Sequence, residues 1–317
     1  MRILVIGGTR FVGRALVEQA QARGHELTLF HRGQTNPGLF TDVEVVLADR
    51  RSGALRQLSG RAFDVVLDTC ANHPDDVMAS APLTASVDRY ILISTASVYR
   101  PPLRACADET APVWSFADAD RYDAGSAERY GALKTQCEWL TVDLYGKRAL
   151  ILRPGIVIGP HDPTDRLTSW LRRLGARTSV LAGRPAQPLQ LIDVRDLATF
   201  TIEAAEAGLV GFFHATGQTT NFASFIDAAV GVLGATPEMV WAGDEFLHQH
   251  DVQLPFYLPE LTEGLFRLSN RRASDQGLRL RALRDSLSEV LAPPTTSTSS
   301  AELDAFDEDE LIAHLRR

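Results

Sequence analysis

The stretch ILVIGGTRFVG, residues 3–13, decides the fold. Residues 3–6 form a short unbroken apolar run, as expected of a strand covered on both faces. Gly7, Gly8, Thr9, Arg10, Phe11, Val12 and Gly13 follow as a glycine-rich turn. Residues 14–24, RALVEQAQARG, then show helical spacing with Gly24 as the stop. A buried strand, a glycine-rich turn and a helix start make a cradle for a pyrophosphate. Backbone N–H groups and the helix dipole attract the anion, and glycine lets it approach closely. Gly7 and Gly13 fit a pattern of glycines three apart, but Arg10 stands where the middle glycine belongs. Taken alone, the stretch is also compatible with an ordinary strand–turn–helix corner.

Working outward, residues 26–30, 43–47, 63–68 and 89–94 read as further strands, with 149–152 and 212–215 completing the sheet. They alternate with helical stretches such as 53–58, 75–86, 126–145 and 221–233. This pattern predicts an α/β fold, a Rossmann-type doubly wound parallel sheet with helices on both faces. Ligands of such sheets lie at the carboxyl ends of the strands. An acidic residue ending the second strand would accept hydrogen bonds from the ribose 2′-hydroxyl of NAD; here His31 and Arg32 stand there, with Arg10 nearby. Two guanidinium groups suit a 2′-phosphate, so NADP is the expected cofactor and NAD the alternative. Arg32 has two other readings, stacking on the adenine or facing solvent. Asp49, followed by Arg50, is placed to accept from the adenine amino group.

Bulk properties narrow the function. A length of 317 residues with 45% hydrophobic content fits one large or two interleaved domains. The formal net charge of -8 argues against nucleic acid or an anionic membrane as the main binding partner. Cys70, Cys106 and Cys137 have no metal-like spacing and read as free thiols of a reducing compartment, and no metal site is expected. No run of about 18 apolar residues occurs, and Met1 leads straight into RILVIGG without a signal segment, so a cytoplasmic protein is expected.

The chemistry is carried by YGALK, residues 130–134. Tyr130 and Lys134 lie one helical turn apart on one face. A phenol titrates near ~10, and an ammonium beside it favours the phenolate, bringing proton transfer into the working range. A solvated helix carries such a pair often, so the pair gains weight only from its context.

That context resembles the extended short-chain dehydrogenases/reductases, the superfamily of nucleotide-sugar epimerases and dehydratases (the NAD-dependent epimerase/dehydratase family). The resemblance rests on GGTRFVG at 7–13, ISTASVY at 93–99, YGALK at 130–134, LRPGIVIGP at 152–160 and IDVRDLA at 192–198, in that order over about residues 1–290. It implies Tyr130 as the proton-transferring residue. Lys134 would hold the nicotinamide ribose and lower the Tyr130 pKa, and Thr95 would be the hydroxyl on the substrate oxygen, helped by Ser97. Arg153 would lie near the cofactor. After Tyr99 the chain reads Arg100-Pro101-Pro102 in place of the family's glycine, so the loop above the site differs.

Substrate residues are less determined. Family members acting on nucleotide sugars place an arginine three residues before Ile192, where Leu189 stands here and cannot balance a diphosphate. His161 and Arg166, in the polar loop 161–166, either contact substrate or serve loop packing and capping. The expected division is a dinucleotide domain of residues 1–158 plus 190–217 and a substrate domain of 159–189 plus 218–291. Trp241, Phe246, Phe256, Tyr257 and Phe266 would mostly be core of the latter. Residues 292–300, APPTTSTSS, read as a linker. Residues 301–317 read as an acidic amphipathic tail with Leu303, Phe306, Leu311 and Leu315 on one stripe, which either docks to a partner protein or folds back. The expected partners are otherwise a small-molecule substrate and a second copy in a homodimer, with the oligomeric state left open by the sequence. The leading functional reading is an NADP-dependent carbonyl reductase or alcohol dehydrogenase acting on a free or carrier-delivered substrate. The alternatives are a nucleotide-sugar epimerase or dehydratase, and a non-catalytic NAD(P)-binding scaffold.

Overall fold

The structure, a computed structural model, describes residues 1–291 and 307–317. Its strands run β1 Arg2–Ile6, β2 Glu26–His31, β3 Glu44–Leu47, β4 Phe63–Asp68, β5 Val87–Ile93, β6 Ala149–Pro154, β7 Ile156–Ile158, β8 Ser179–Ala182, β9 Pro188–Asp193, β10 Gly211–Ala215, β11 Thr219–Asn221 and β12 Glu238–Trp241. Seven of them form one parallel sheet in the order β10-β6-β5-β4-β1-β2-β3. The chain starts in the middle, winds outward to one edge, then returns to β4 and winds to the other. The resulting switch point lies between β1 and β4, where such sheets take their ligands.

Strand periodicity explains the two-sided core. Ile3 and Val5 pack with α1 (Phe11–Ala22) on one face, while Leu4 and Ile6 pack on the other. Val65 and Leu67 oppose Val66 in the same manner, and Ile91 and Ile93 oppose Tyr90 and Leu92. Both faces are therefore apolar, as a parallel sheet clad in helices requires.

The helical reading of 75–86 is corrected. Helix α2 covers only Pro74–Met78 and a separate single turn covers Ala81–Leu83. Pro82 lacks an amide hydrogen and cannot continue a helix. The stretch 53–58 is likewise a tight helical turn, Ala54–Leu58. Helix α3 runs Ala127–Tyr145, with the Ser126 hydroxyl accepting from Arg129 N at its start.

A second core gathers Trp170, Leu171 and Leu174 of α4 (Arg166–Ala176), strand β8, and Phe222, Phe225 and Ile226, together with buried Phe256 and Phe266. Trp241, Phe246 and Tyr257 are partly buried against it. Helix α5 (Val194–Glu206) returns to the large sheet and α6 (Phe222–Leu233) joins the second core. Strand β9 pairs with β7 and β11 in a small separate sheet, none of whose strands was among those read from the sequence.

The expected linker, with Leu303 and Phe306, lies outside the described residues. The C-terminal helix Glu308–Leu315 departs from the free-tail reading because it packs on the second core. Leu311 and Ile312 are buried there, and Glu308 is buried on Arg173 (2.7 Å) and Leu181 N (2.7 Å). Adjacent apolar residues and a buried acid make this an internal face, while Asp307, Asp309, Glu310, Ala313 and His314 remain outside.

Candidate active site

The carboxyl ends of β1 to β4 open onto a cleft of about 690 Å³. Gly7, Thr9, Arg10, Phe11, Val12, Gly13, His31, Arg32, Asp49 and Arg50 all line it. Gly7 and Gly8 have φ of +101° and +98°, a left-handed turn that side chains resist. A Cβ on Gly7 would lie 2.3 Å from Thr69 Oγ1, and one on Gly13 would lie 2.9 Å from Gly8 N. The turn is therefore held close against β4 and α1, and its Gly7 amide donates to Phe30 O of β2 at 2.9 Å. Arg10 has φ -137°, so its backbone does not need a glycine, and its side chain is exposed on the rim.

At the end of β2, His31 is buried and its Nδ1 accepts from Gly33 N at 3.0 Å. That bond leaves the proton on Nε2, which is buried with no partner. Burial pushes the imidazole below its usual pKa, so His31 is a neutral donor at pH 7 and no cation. Arg32 is exposed, and neither it nor Arg10 has an ion-pair partner among the described residues. Asp49 is exposed beside them, one oxygen accepting from Arg51 N.

Two of the expected cofactor residues have partners inside the protein; Arg50 lines the cleft and is also engaged from within. The Arg50 guanidinium turns inward and grips Asp68 through both terminal nitrogens (3.0 and 2.5 Å), with Tyr90 donating to the same carboxylate. Asp68 is fully buried and held below the usual carboxylate range by Arg50 against the opposing effect of burial. Arg153 is also an interior residue. It donates to both Glu138 oxygens (2.6 and 3.0 Å), to Tyr99 (2.6 Å) and to Glu109 O (3.0 Å). A buried arginine needs such partners, and Glu138 outcompetes any role toward the cleft.

Thr95 and Tyr130 come together beyond the end of β5. The Thr95 hydroxyl accepts from Ser97 N at 3.1 Å and donates to Ser97 Oγ at 3.2 Å. Tyr130 is 41% exposed. Partial burial raises its phenol above the ordinary range, and the neighbouring Thr95 side chain opposes that rise. Lys134 is buried one turn along, its Nζ donating to Ala71 O and Ile93 O at 2.8 Å each. Burial lowers its pKa. Lys134 is thus tied across the ends of β4 and β5, with one ammonium hydrogen left.

Two residues of this site escaped the sequence reading. Glu138 continues the Tyr130–Lys134 spacing by one more turn, and its fully buried carboxylate accepts from Ser94 Oγ (2.5 Å) as well as Arg153. It thereby fixes the residue preceding Thr95. Gly131 lies where a Cβ would sit 2.0 Å from Ser97 O and 2.8 Å from Trp114 Nε1. A mid-helix glycine costs about 1 kcal/mol relative to alanine, which was the available signal.

The loop 161–166 lies over the same edge, since Pro163 lines the cleft. His161 is exposed in a left-handed conformation, and Arg14 and Glu18 of α1 are charges acting on it. Arg166 donates Nε to Thr164 Oγ1 (2.9 Å) with its guanidinium over Phe256 (5.6 Å). Leu189 is fully buried in the second core. Among the described residues no group of three or more His, Cys, Asp or Glu side chains could hold a metal ion, and no helix is long and apolar enough to cross a membrane.

A seven-stranded parallel sheet with a glycine-lined cleft at its switch point defines a dinucleotide-binding α/β protein. The model of the NAD dependent epimerase/dehydratase family matches residues 3–211, and the chain belongs to that family. It is 27% identical over 278 residues to the chloroplast stem-loop binding protein of 41 kDa b from Arabidopsis thaliana, covering 80% of this chain and 68% of that protein. It is 27% identical over 266 residues to a 3-diazoavenalumate denitrifying reductase of Streptomyces sp, covering 75% and 83%. Among solved structures, the complex of the Thermus thermophilus UDP-glucose 4-epimerase with NAD superposes with TM-score 0.65 at 20% identity, over 91% of this chain and 97% of that one.

Proposed function

We propose that the chain is an NADP-dependent oxidoreductase that reduces a carbonyl or oxidises an alcohol at Thr95, Tyr130 and Lys134. The observation that carries this reading is Thr95 beside Tyr130 at the end of β5, with the Lys134 ammonium buried one turn along across the strand ends. The cradle fits a dinucleotide, because glycines at 7 and 13, where a Cβ would strike Thr69 and Gly8, keep the turn tight against the strand ends and its ligand face free of side chains. The unpartnered His31 Nε2 between exposed Arg10 and Arg32 supports a 2′-phosphate as the acceptor there. A nicotinamide cofactor supplies or accepts hydride when bound.

The chain's own residues do the rest. Thr95 Oγ1 and the Tyr130 hydroxyl together grip the reacting oxygen. Tyr130 gives it a proton in reduction and takes one in oxidation. The remaining Lys134 hydrogen is available to the ribose, and its charge favours the phenolate left on Tyr130. A relative named as a reductase supports net redox chemistry. The epimerase or dehydratase reading draws on the family and on the solved neighbours. Burial of Leu189 counts against a nucleotide-sugar diphosphate at that position. The scaffold reading draws on the stem-loop binding relative, while retention of Thr95, Tyr130 and Lys134 and the net charge of -8 count against it.

The test measures NADP(H) and NAD(H) affinities and NADPH consumption with carbonyl substrates. NADP should bind more tightly than NAD, and Arg32→Ala should flatten the difference. Tyr130→Phe should leave cofactor affinity intact and lower turnover roughly 10²–10⁴-fold. A wild type that prefers NAD removes the 2′-phosphate argument; a tightly held cofactor with no net consumption favours the epimerase reading.

A further inference from the structure

Half-buried and buried arginines in this protein are matched to acceptors. Arg50, Arg153, Arg173, Arg184, Arg195 and Arg281 each meet a carboxylate. Arg89, Arg129 and Arg148 lack one but donate from a terminal nitrogen to main-chain carbonyls. Arg166 departs from both patterns. Among the described residues its side chain makes one hydrogen bond, from Nε to Thr164 Oγ1, and its terminal nitrogens have no acceptor.

The nearby acid does not serve it. Asp162 Oδ1 accepts from Thr164 N and Oγ1 (2.9 and 2.7 Å), and its other oxygen is buried without a partner. Thr164 thus stands between the two charges, which make no ion pair within 4 Å. Desolvation disfavours the charge on both groups, as it must when burial is uncompensated. Position adds meaning to this. Pro163 of the same loop lines the cofactor cleft. Arg166 opens α4, whose Leu167 and Trp170 are anchored in the second core, and Phe256 covers one side of the guanidinium. The group is therefore held in place at the junction of cleft and second core, with its two-pronged edge unused.

We propose that Arg166 recognises an anionic group of the substrate, and that this group is a carboxylate. A planar carboxylate matches the guanidinium fork, and one arginine balances one charge. The buried Asp162 oxygen beside it disfavours a dianionic phosphate. This inference rests on the oxidoreductase reading for the word substrate, but its test separates the two.

The protein loaded with NADP+ is titrated calorimetrically with matched pairs, 4-formylbenzoate against 4-formylbenzamide and pyruvate against pyruvamide. The acid should bind about 10- to 100-fold more tightly than its amide in at least one pair, the size of a charge-assisted hydrogen bond. Arg166→Gln should erase that preference while leaving NADPH affinity unchanged, and Arg166→Lys should restore part of it. Binding of the acid without NADPH-dependent reduction keeps this proposal and removes the oxidoreductase reading. Absence of acid preference in every pair, or its persistence in Arg166→Gln, overturns the proposal. So does a loss of NADPH affinity as the sole effect of Arg166→Gln, which would assign the arginine to the cofactor diphosphate.

Discussion

Substituting Gly131 by alanine probes the site through one methyl group. The new Cβ would stand 2.0 Å from the Ser97 carbonyl oxygen, whereas ordinary contact begins at 3.4 Å. A gap of 3.4 − 2.0, or 1.4 Å, must open between α3 and the 95–97 turn. That carbonyl also accepts from Trp114 Nε1 at 3.1 Å, so the turn cannot move without loosening a second contact. Helix α3 is pinned through Glu138 and Lys134, which leaves the turn to give way, carrying Thr95 from Tyr130. Displacements of about 1 Å at reacting groups cost about 10²-fold in rate. Overpacking of this kind costs about 1–3 kcal/mol of stability. Steady-state NADPH oxidation, cofactor affinity and thermal unfolding of the variant would be measured together. The expected result is a kcat reduced about 100-fold, a melting point lower by several degrees and an unchanged NADPH dissociation constant. A variant with near-normal turnover would refute the claim that Gly131 sets the Thr95–Tyr130 distance.

Three further outcomes can be checked. Glu138→Ala removes the carboxylate from buried Arg153 and frees Ser94, so it should destabilise the fold by about 3–5 kcal/mol; denaturant unfolding reads this directly. Glu308→Ala should likewise lower the melting point by leaving Arg173 short of its acid, and unchanged stability would mean that the C-terminal helix is not docked in solution. For pH, His31 and His214 are both lowered by burial. The unfolded chain, titrating near 6.5, then binds protons that the folded chain refuses. Their neutral burial is fully tolerated above that value and stability is lost as pH falls through it; melting points between about pH 7.5 and 5.5 should show a slope that His31→Asn reduces.

The main sheet was legible because parallel strands are unbroken apolar runs separated by helical stretches, a signal that needs no tertiary information. The glycine turn and the Tyr130–Lys134 pair were readable from spacing, while Thr95 was placed by the resemblance of the 93–99 motif. Arg153 was misread because a motif gives a place along the chain but says nothing of which way a long side chain turns. Glu138, eight residues after Tyr130, determined that direction. The bond of Arg50 to Asp68 went unread for the same reason, since the pair is 18 residues apart in sequence and joined only by the sheet. The small sheet of β9 went unread because its partners β7 and β11 are three-residue strands too short to show a period. In the tail, acids at a helix start suggested a solvated end, while burial of Glu308 depends on an arginine more than a hundred residues earlier.

The anchoring of Glu308 has a consequence for how the protein is made. Synthesis delivers the large sheet's central strands first, and its last strand, β10, ends at Ala215. A nascent chain can assemble that sheet and begin the second core while translation continues. Arg173, however, is emerging and needing a counter-charge long before residue 308 exists. Until the segment 308–315 has been made, the α4 region must keep that arginine wet or in a looser arrangement. Completion of the second core thereby waits for that segment, and a chain cut short before it would leave an intact dinucleotide sheet beside an unfinished neighbour.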